Sequence, residues 1–228
     1  MKSKQRQGER LYLILAALFI ASLVAGNLIF QKFFTWDFFG IYTFEISVGI
    51  LPYPITFLIT DVISEIYRKK RANEVVLSGL FATVFLLGIV YLADAVPATS
   101  WSPIQNETFH EVFGFTAIAV SASMTAYLLA QLIDIRIYHF WKKKTKGKHL
   151  WLRNNASTMF SQFIDTLTVL VLLCSFGIIE WVRFSDLLLS GFLFKVLVAA
   201  VDTPFLYAAV FGIRKYFKLG LNDELLKG

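Results

Sequence analysis

Six stretches of about 20 mostly apolar residues dominate this 228-residue chain. They are Leu11–Phe30, a span within Ile41–Tyr67, Val75–Ala93, Val112–Ile133, Ser157–Ile179 and Leu187–Ile213. Runs of this length match a bilayer hydrocarbon core of roughly 30 Å crossed at about 1.5 Å per helical residue. They are too long and too many for the core of a soluble domain. The first run lacks a small-residue cleavage site and is expected to stay as a permanent span.

Basic residues give the expected orientation, because cytoplasmic loops retain Lys and Arg. Nineteen of the 22 fall in four segments: the amino terminus, Arg68–Arg71, Arg136–Arg153, and Arg214 onward. The alternate loops hold only Lys32 and Arg183, and Lys195 lies inside a span. The expected fold is an all-α integral membrane protein. It is a single six-helix transmembrane bundle over residues 1–228, with both termini cytoplasmic and a broken second helix. The +6 net charge then records topology. The Lys run 142–144 is read as a patch facing anionic lipid, and no nucleic-acid partner is expected. A lone cysteine, Cys174, excludes a disulfide framework.

Ionisable groups inside a bilayer are costly, so each marks a candidate site. The spans hold Glu45, Asp61, Glu65, Asp134, Asp165, Asp202 and Lys195. Asp165 lies about 12 Å from the inner face and Lys195 about 12 Å from the outer, counting from the span ends. Asp61 and Glu65 are four apart and repel, so a cationic or donor-rich partner must face them. Glu65 and Asp134 are also placed to pair with Arg68–Arg71 and Arg136 at the interface. An interhelical ion pair is the structural alternative for Asp165, Asp202 and Lys195. A near-repeat, Gln131-Leu-Ile-Asp134 and Gln162-Phe-Ile-Asp165, puts an amide and a carboxylate on one face of two successive helices. The two faces could meet across a pocket. Gly49, Pro52 and Pro54 interrupt the second span, and broken helices mark transporter sites. If the helix begins only at Pro52, Asp61 reaches the midplane; if it begins at Ile41, Asp61 is near the inner face.

Enzyme signatures are missing: there is no HExxH, GxSxG or P-loop. His110, His139 and His149 have no metal-ligand spacing, so neither metal nor cofactor is expected, and the chain is not expected to be an enzyme.

Several linked segments carry a family resemblance: Phe57-Leu-Ile-Thr-Asp61-Val-Ile-Ser-Glu65-Ile-Tyr67, Gln131-Leu-Ile-Asp134, Arg153-Asn-Asn155-Ala-Ser157-Thr158, Ser161-Gln162-Phe-Ile-Asp165-Thr166 and Asp202-Thr203-Pro204. Together they resemble the bacterial queuosine precursor transporters, the VUT family, from the first span to about Tyr216. The resemblance implies a six-helix bundle in the bacterial inner membrane, similar in kind to the substrate-binding subunits of energy-coupling-factor vitamin transporters. It implies import of 7-cyano-7-deazaguanine, 7-aminomethyl-7-deazaguanine or queuine for tRNA queuosine modification. Two positions depart from the family pattern: Arg68 stands where glycine is usual, and Ala117 where arginine is frequent.

A guanine-like edge offers a ring N–H beside an exocyclic amine. One carboxylate accepts both, and amides satisfy the remaining atoms. The expected substrate-binding residues are therefore Asp165, Gln162, Gln131, Asp134, Asn155, Asp202 and Lys195. Asp61, Glu65, Pro52 and Pro54 are assigned to gating or coupling. A substrate-binding subunit that depends on an ATPase partner is the alternative, and an intramembrane enzyme using paired carboxylates a further one. The partners expected are the small-molecule base and the lipid bilayer. A homodimer stays open.

Overall fold

The computed structural model describes residues 2–114, 116–146, 148–220, 223 and 225. The order of elements is α1 (Lys2–Ile29), β1 (Phe33–Phe38), β2 (Tyr42–Ser47), a 3-10 turn (Val48–Ile50), α2 (Tyr53–Ile66), α3 (Arg68–Ala95), a single turn α4 (Asn106–Phe109) running into a π-helical turn (His110–Gly114), α5 (Thr116–Lys144), α6 (Leu150–Ser175), a 3-10 turn (Trp181–Arg183) and α7 (Phe184–Phe217). Five stretches among the described residues are long and apolar enough to cross a membrane: Lys4–Ile29, Val48–Ile66, Arg68–Ala95, Leu150–Ser175 and Trp181–Phe217. The expected fourth run, Val112–Ile133, overlaps the 29-residue α5, part of which lies outside the described side chains. The chain is thus a helical, multi-pass membrane protein.

Their surfaces fit that setting. Leu13, Phe81, Phe85, Tyr91 and Phe211 are exposed on α1, α3 and α7. Large apolar side chains facing outward suit a hydrocarbon solvent that rewards them. The interior is organised around α2. It packs against α1, α3, α5 and α7, while α6 packs between α5 and α7. Every residue of α2 from Thr56 to Ile66 is buried except Leu58. Ile63 and Ile66 pack with Phe19 of α1, Val75 and Val76 of α3, and Leu206 of α7.

Two expectations change here. Of the two starts left open for the second helix, the one at Pro52 holds. Residues 33–47 form an antiparallel hairpin, pairing Phe33 with Ser47 through Phe38 with Tyr42. Its turn carries positive φ at Phe39 (54°) and Gly40 (70°), and the Gly40 amide donates to Asp37. This left-handed pair matches the strand twist. Glu45, expected within a span, therefore lies on β2. Ahead of α2, the chain turns where a Cβ on Gly49 would come 2.6 Å from Phe30 Cβ and 2.7 Å from the Gly26 carbonyl. Only glycine allows this 3-10 turn to lie against α1. The helix then starts behind Pro52, with Pro54 in its first turn, where a missing N–H costs nothing. The prolines start α2 rather than kink it. Asp61, eight residues into α2, is about 12 Å from its start.

Side-chain contacts gather the basic segments at one end. The Tyr67 hydroxyl donates to the Gly8 carbonyl, and Tyr216 to Gln7. The hairpin lies at the opposite end. Its aromatic face puts Trp36 and Phe44 against Phe194 of α7, at 5.7 and 5.9 Å between ring centroids. Tyr42 and Ser190 hydroxyls share a 2.6 Å hydrogen bond alongside.

Candidate functional site: a cavity above an ion pair

The other face of the hairpin borders a cavity of about 530 Å³. Gln31, Phe33, Glu45 and Ile178 form its rim, and Leu170, Leu173, Ile50 and Phe30 its walls. Tyr53, Thr56, Tyr127, Asp165, Thr166 and Lys195 lie deeper. On α7 one stripe, Leu187, Gly191 and Lys195, faces the cavity, while Ser190 and Phe194 face the hairpin. These spacings of three and four follow from the helical repeat.

Asp165 and Lys195 meet at its foot. Lys195 Nζ donates to Asp165 Oδ2 at 2.5 Å and to Thr166 Oγ1 at 3.0 Å. The same ammonium sits 4.7 Å over the Tyr53 ring, a cation–π contact. Their side chains are only 7% and 10% exposed, so each charge depends on the other for compensation. Lys195 is eleven residues into α7 and Asp165 ten residues before the end of α6. Both counts place the pair about 15 Å in from those two helix ends. That is near the middle of a bilayer core.

Below the pair is a sealed polar layer. Gln131 Nε2 donates to Thr60 Oγ1 at 3.0 Å, and Ser161 Oγ to Asp134 Oδ1 at 2.9 Å. Asp134 also has side-chain hydrogen-bond contacts with Ser157 and Asp61. Nearest the basic end, Glu65 binds Arg214 at 2.6 Å and Lys142 at 3.1 Å, and accepts from the Tyr138 hydroxyl at 3.1 Å. The cations facing Glu65 therefore include Arg214 and Lys142, residues read from sequence only as topology markers. The cations expected opposite the Asp61 and Glu65 pair are found for Glu65, whereas Asp61 meets the carboxyl of Asp134 on α5.

The expected site residues are not all in one place. Asp165 and Lys195 line the main cavity, as does Pro52. Gln162, Asp202 and Pro54 line a small cleft on the far side of Lys195. The Gln162 side-chain oxygen Oε1 is buried without a hydrogen-bond partner among the described residues. Gln131 and Asp134 turn toward α2 and α6 in the sealed layer, so the two Gln–Asp motifs do not face each other across the cavity. Asn155 lies toward the basic end of α6, where its side chain donates to Trp151 and to Thr203. The Ala117 side chain lies outside the described residues. Tyr53, Thr56 and Tyr127 were missed by sequence reading; Tyr53, between two prolines at the start of α2, carried the only usable signal. Among the described residues no group of three or more His, Cys, Asp and Glu is placed to hold a metal ion.

A bundle of membrane-length helices around a cavity with a buried ion pair defines a small-molecule membrane transport protein. Residues 47–209 match the family described as "Putative vitamin uptake transporter", and the chain belongs to that family. Curated relatives agree over most of the chain. A protein of Bacillus subtilis named "Probable queuosine precursor transporter" is 28% identical over 82% of this chain and 79% of its own length. The "Queuosine precursor transporter" of Escherichia coli is 24% identical over 69% of each chain. A Haemophilus influenzae protein named "Probable queuosine precursor transporter" is 23% identical over 55% of this chain and 50% of its own. No solved structure matches the chain.

Proposed function

We propose that this chain is a single-domain, six-span importer of queuosine precursors in the bacterial inner membrane, with both termini cytoplasmic and α5 as the remaining span. The observation that carries it is the Asp165–Lys195 pair in a cavity that the hairpin residues Phe33, Glu45 and Ser47 also line. With the basic segments inside, the hairpin end faces out, and the cavity is the entry from outside. Its volume falls in the roughly 300–1,000 Å³ range of small-molecule sites.

The pair complements a guanine-like edge. Asp165 accepts from the ring N–H and exocyclic amine, and Lys195 donates to the neighbouring carbonyl. Tyr53 and Phe30 offer aromatic surface to a planar base. A base lacking this edge leaves the buried polar groups unsatisfied, which is a strong basis for rejection. Gln162 and Asp202, beyond Lys195, and Gln131, Asp134 and Asn155, deeper still, are the polar groups next on the path inward. Glu65, held by Arg214 and Lys142, closes the inner end, and Asp61 on the same helix links that closure to the layer above. Pro52 and Pro54 set where α2 begins, at the level of the cavity.

The test uses a strain unable to make the precursor, supplied with it at low concentration. Deleting this protein is expected to remove queuosine from tRNA, and restoring it to bring queuosine back. Unchanged queuosine after deletion would contradict the proposal. Transport by purified protein in liposomes separates this reading from dependence on an ATPase partner.

A further inference from the structure

The charges lining the cavity do not balance. Of its acidic and basic lining residues, Asp165 and Lys195 neutralise each other at 2.5 Å. The third is Glu45, on β2 at the rim, and among the described residues it takes part in no ion pair. Strand alternation explains its aim. Phe44 and Ile46 are buried on the packed face of the hairpin, with Ile46 also reaching the cavity, whereas Glu45 and Ser47 share a face with Phe33, and all three border the cavity. The hairpin therefore holds one surplus carboxylate above a neutral foot.

From this we infer that the site selects 7-deazaguanines whose 7-substituent carries a protonated amine, with Glu45 as the counter-charge. This rests on the proposed reading of the Asp165–Lys195 foot. A base that presents its amine and ring N–H to Asp165 turns its five-membered ring, and so its 7-substituent, toward the rim. An aminomethyl group there is a cation and meets Glu45. A cyano group is neutral and gains nothing from it. Because the rim is wet, the effect is a moderate discrimination weakened by salt rather than an absolute filter.

Binding of 7-aminomethyl-7-deazaguanine and 7-cyano-7-deazaguanine to the full-length protein in nanodiscs, by calorimetry at low and high salt, tests it. The wild type is expected to bind the aminomethyl base at least fivefold more tightly at low salt, and the gap to narrow at high salt. Glu45→Gln is expected to bind the cyano base as the wild type does but to lose the preference, and Glu45→Asp to keep it. Equal affinities in the wild type, or an undiminished preference in Glu45→Gln, would overturn the inference. Loss of the cyano base as well in Glu45→Gln would also overturn it, since Glu45 would then shape the site rather than select charge. Binding of neither base by the wild type would instead overturn the reading of the site as a whole.

Discussion

Asp165 and Lys195 can be a structural clasp, a binding site, or both, and a single substitution separates these roles only where membrane abundance is matched. Removing one partner of a buried pair costs about 3–5 kcal/mol, because the other charge is left uncompensated. Lys195→Met alone is therefore expected to lower the melting temperature in detergent strongly. Replacing both, as Asp165→Asn with Lys195→Met, leaves no orphan charge and is expected to restore most of that loss. Uptake should remain absent in the double variant. A double variant that recovers both stability and uptake would reduce the pair to a clasp. A second residue-scale case is Arg68, whose φ is +67° at the junction of α2 and α3. The left-handed region costs a side-chain-bearing residue about 1–2 kcal/mol. A glycine would carry no such cost, and Arg68→Gly is expected to raise the melting temperature. A lower one would show that Arg68's side-chain contacts outweigh the backbone cost.

At the scale of elements, α2 is the part that two other helices, α5 and α7, hold by charge and hydroxyl contacts. Its Glu65 joins α5 through Lys142 and Tyr138, and α7 through Arg214. Its Thr60 joins α5 through Gln131. Glu65→Gln keeps the shape but leaves two nearly buried cations unmatched, so the basic end is expected to loosen. A cysteine at Ser161, in a Cys174→Ser background, reads this as faster labelling by a thiol reagent from the basic end. An unchanged labelling rate would remove Glu65 from the inner closure. The hairpin is the element least visible in the sequence. Phe34, Trp36 and Phe38 alternate with Thr35 and Asp37, a period of two that signals a strand. In so apolar a chain, overall hydropathy hides that period and extends the second span outward to Ile41. The helices themselves were legible, because an apolar run of bilayer length has few other folded solutions.

For the molecule as a whole, what the sequence concealed was partnership. Each buried acid stood out against its apolar surroundings, but helix starts decide depth. α6 begins at Leu150, seven residues before the expected span, which lifts Asp165 about 10 Å further from the basic end. That shift brings it level with Lys195 and takes it away from Asp134. Lys142 and Arg214 were counted as topology markers because distance along the chain, 77 and 149 residues from Glu65, hides a contact. The proposed topology has its own check. Cysteines at Gln105 and Lys148 are expected to label from outside and inside the cell respectively. Labelling of both from one side would contradict six spans.

Uptake of radiolabelled 7-aminomethyl-7-deazaguanine by cells producing wild-type protein or Asp165→Asn is the most direct measure of the central claim. Saturable uptake by the wild type, lost in Asp165→Asn at equal membrane abundance, is expected. Near-normal uptake in Asp165→Asn would contradict the placement of the substrate at the foot of the cavity.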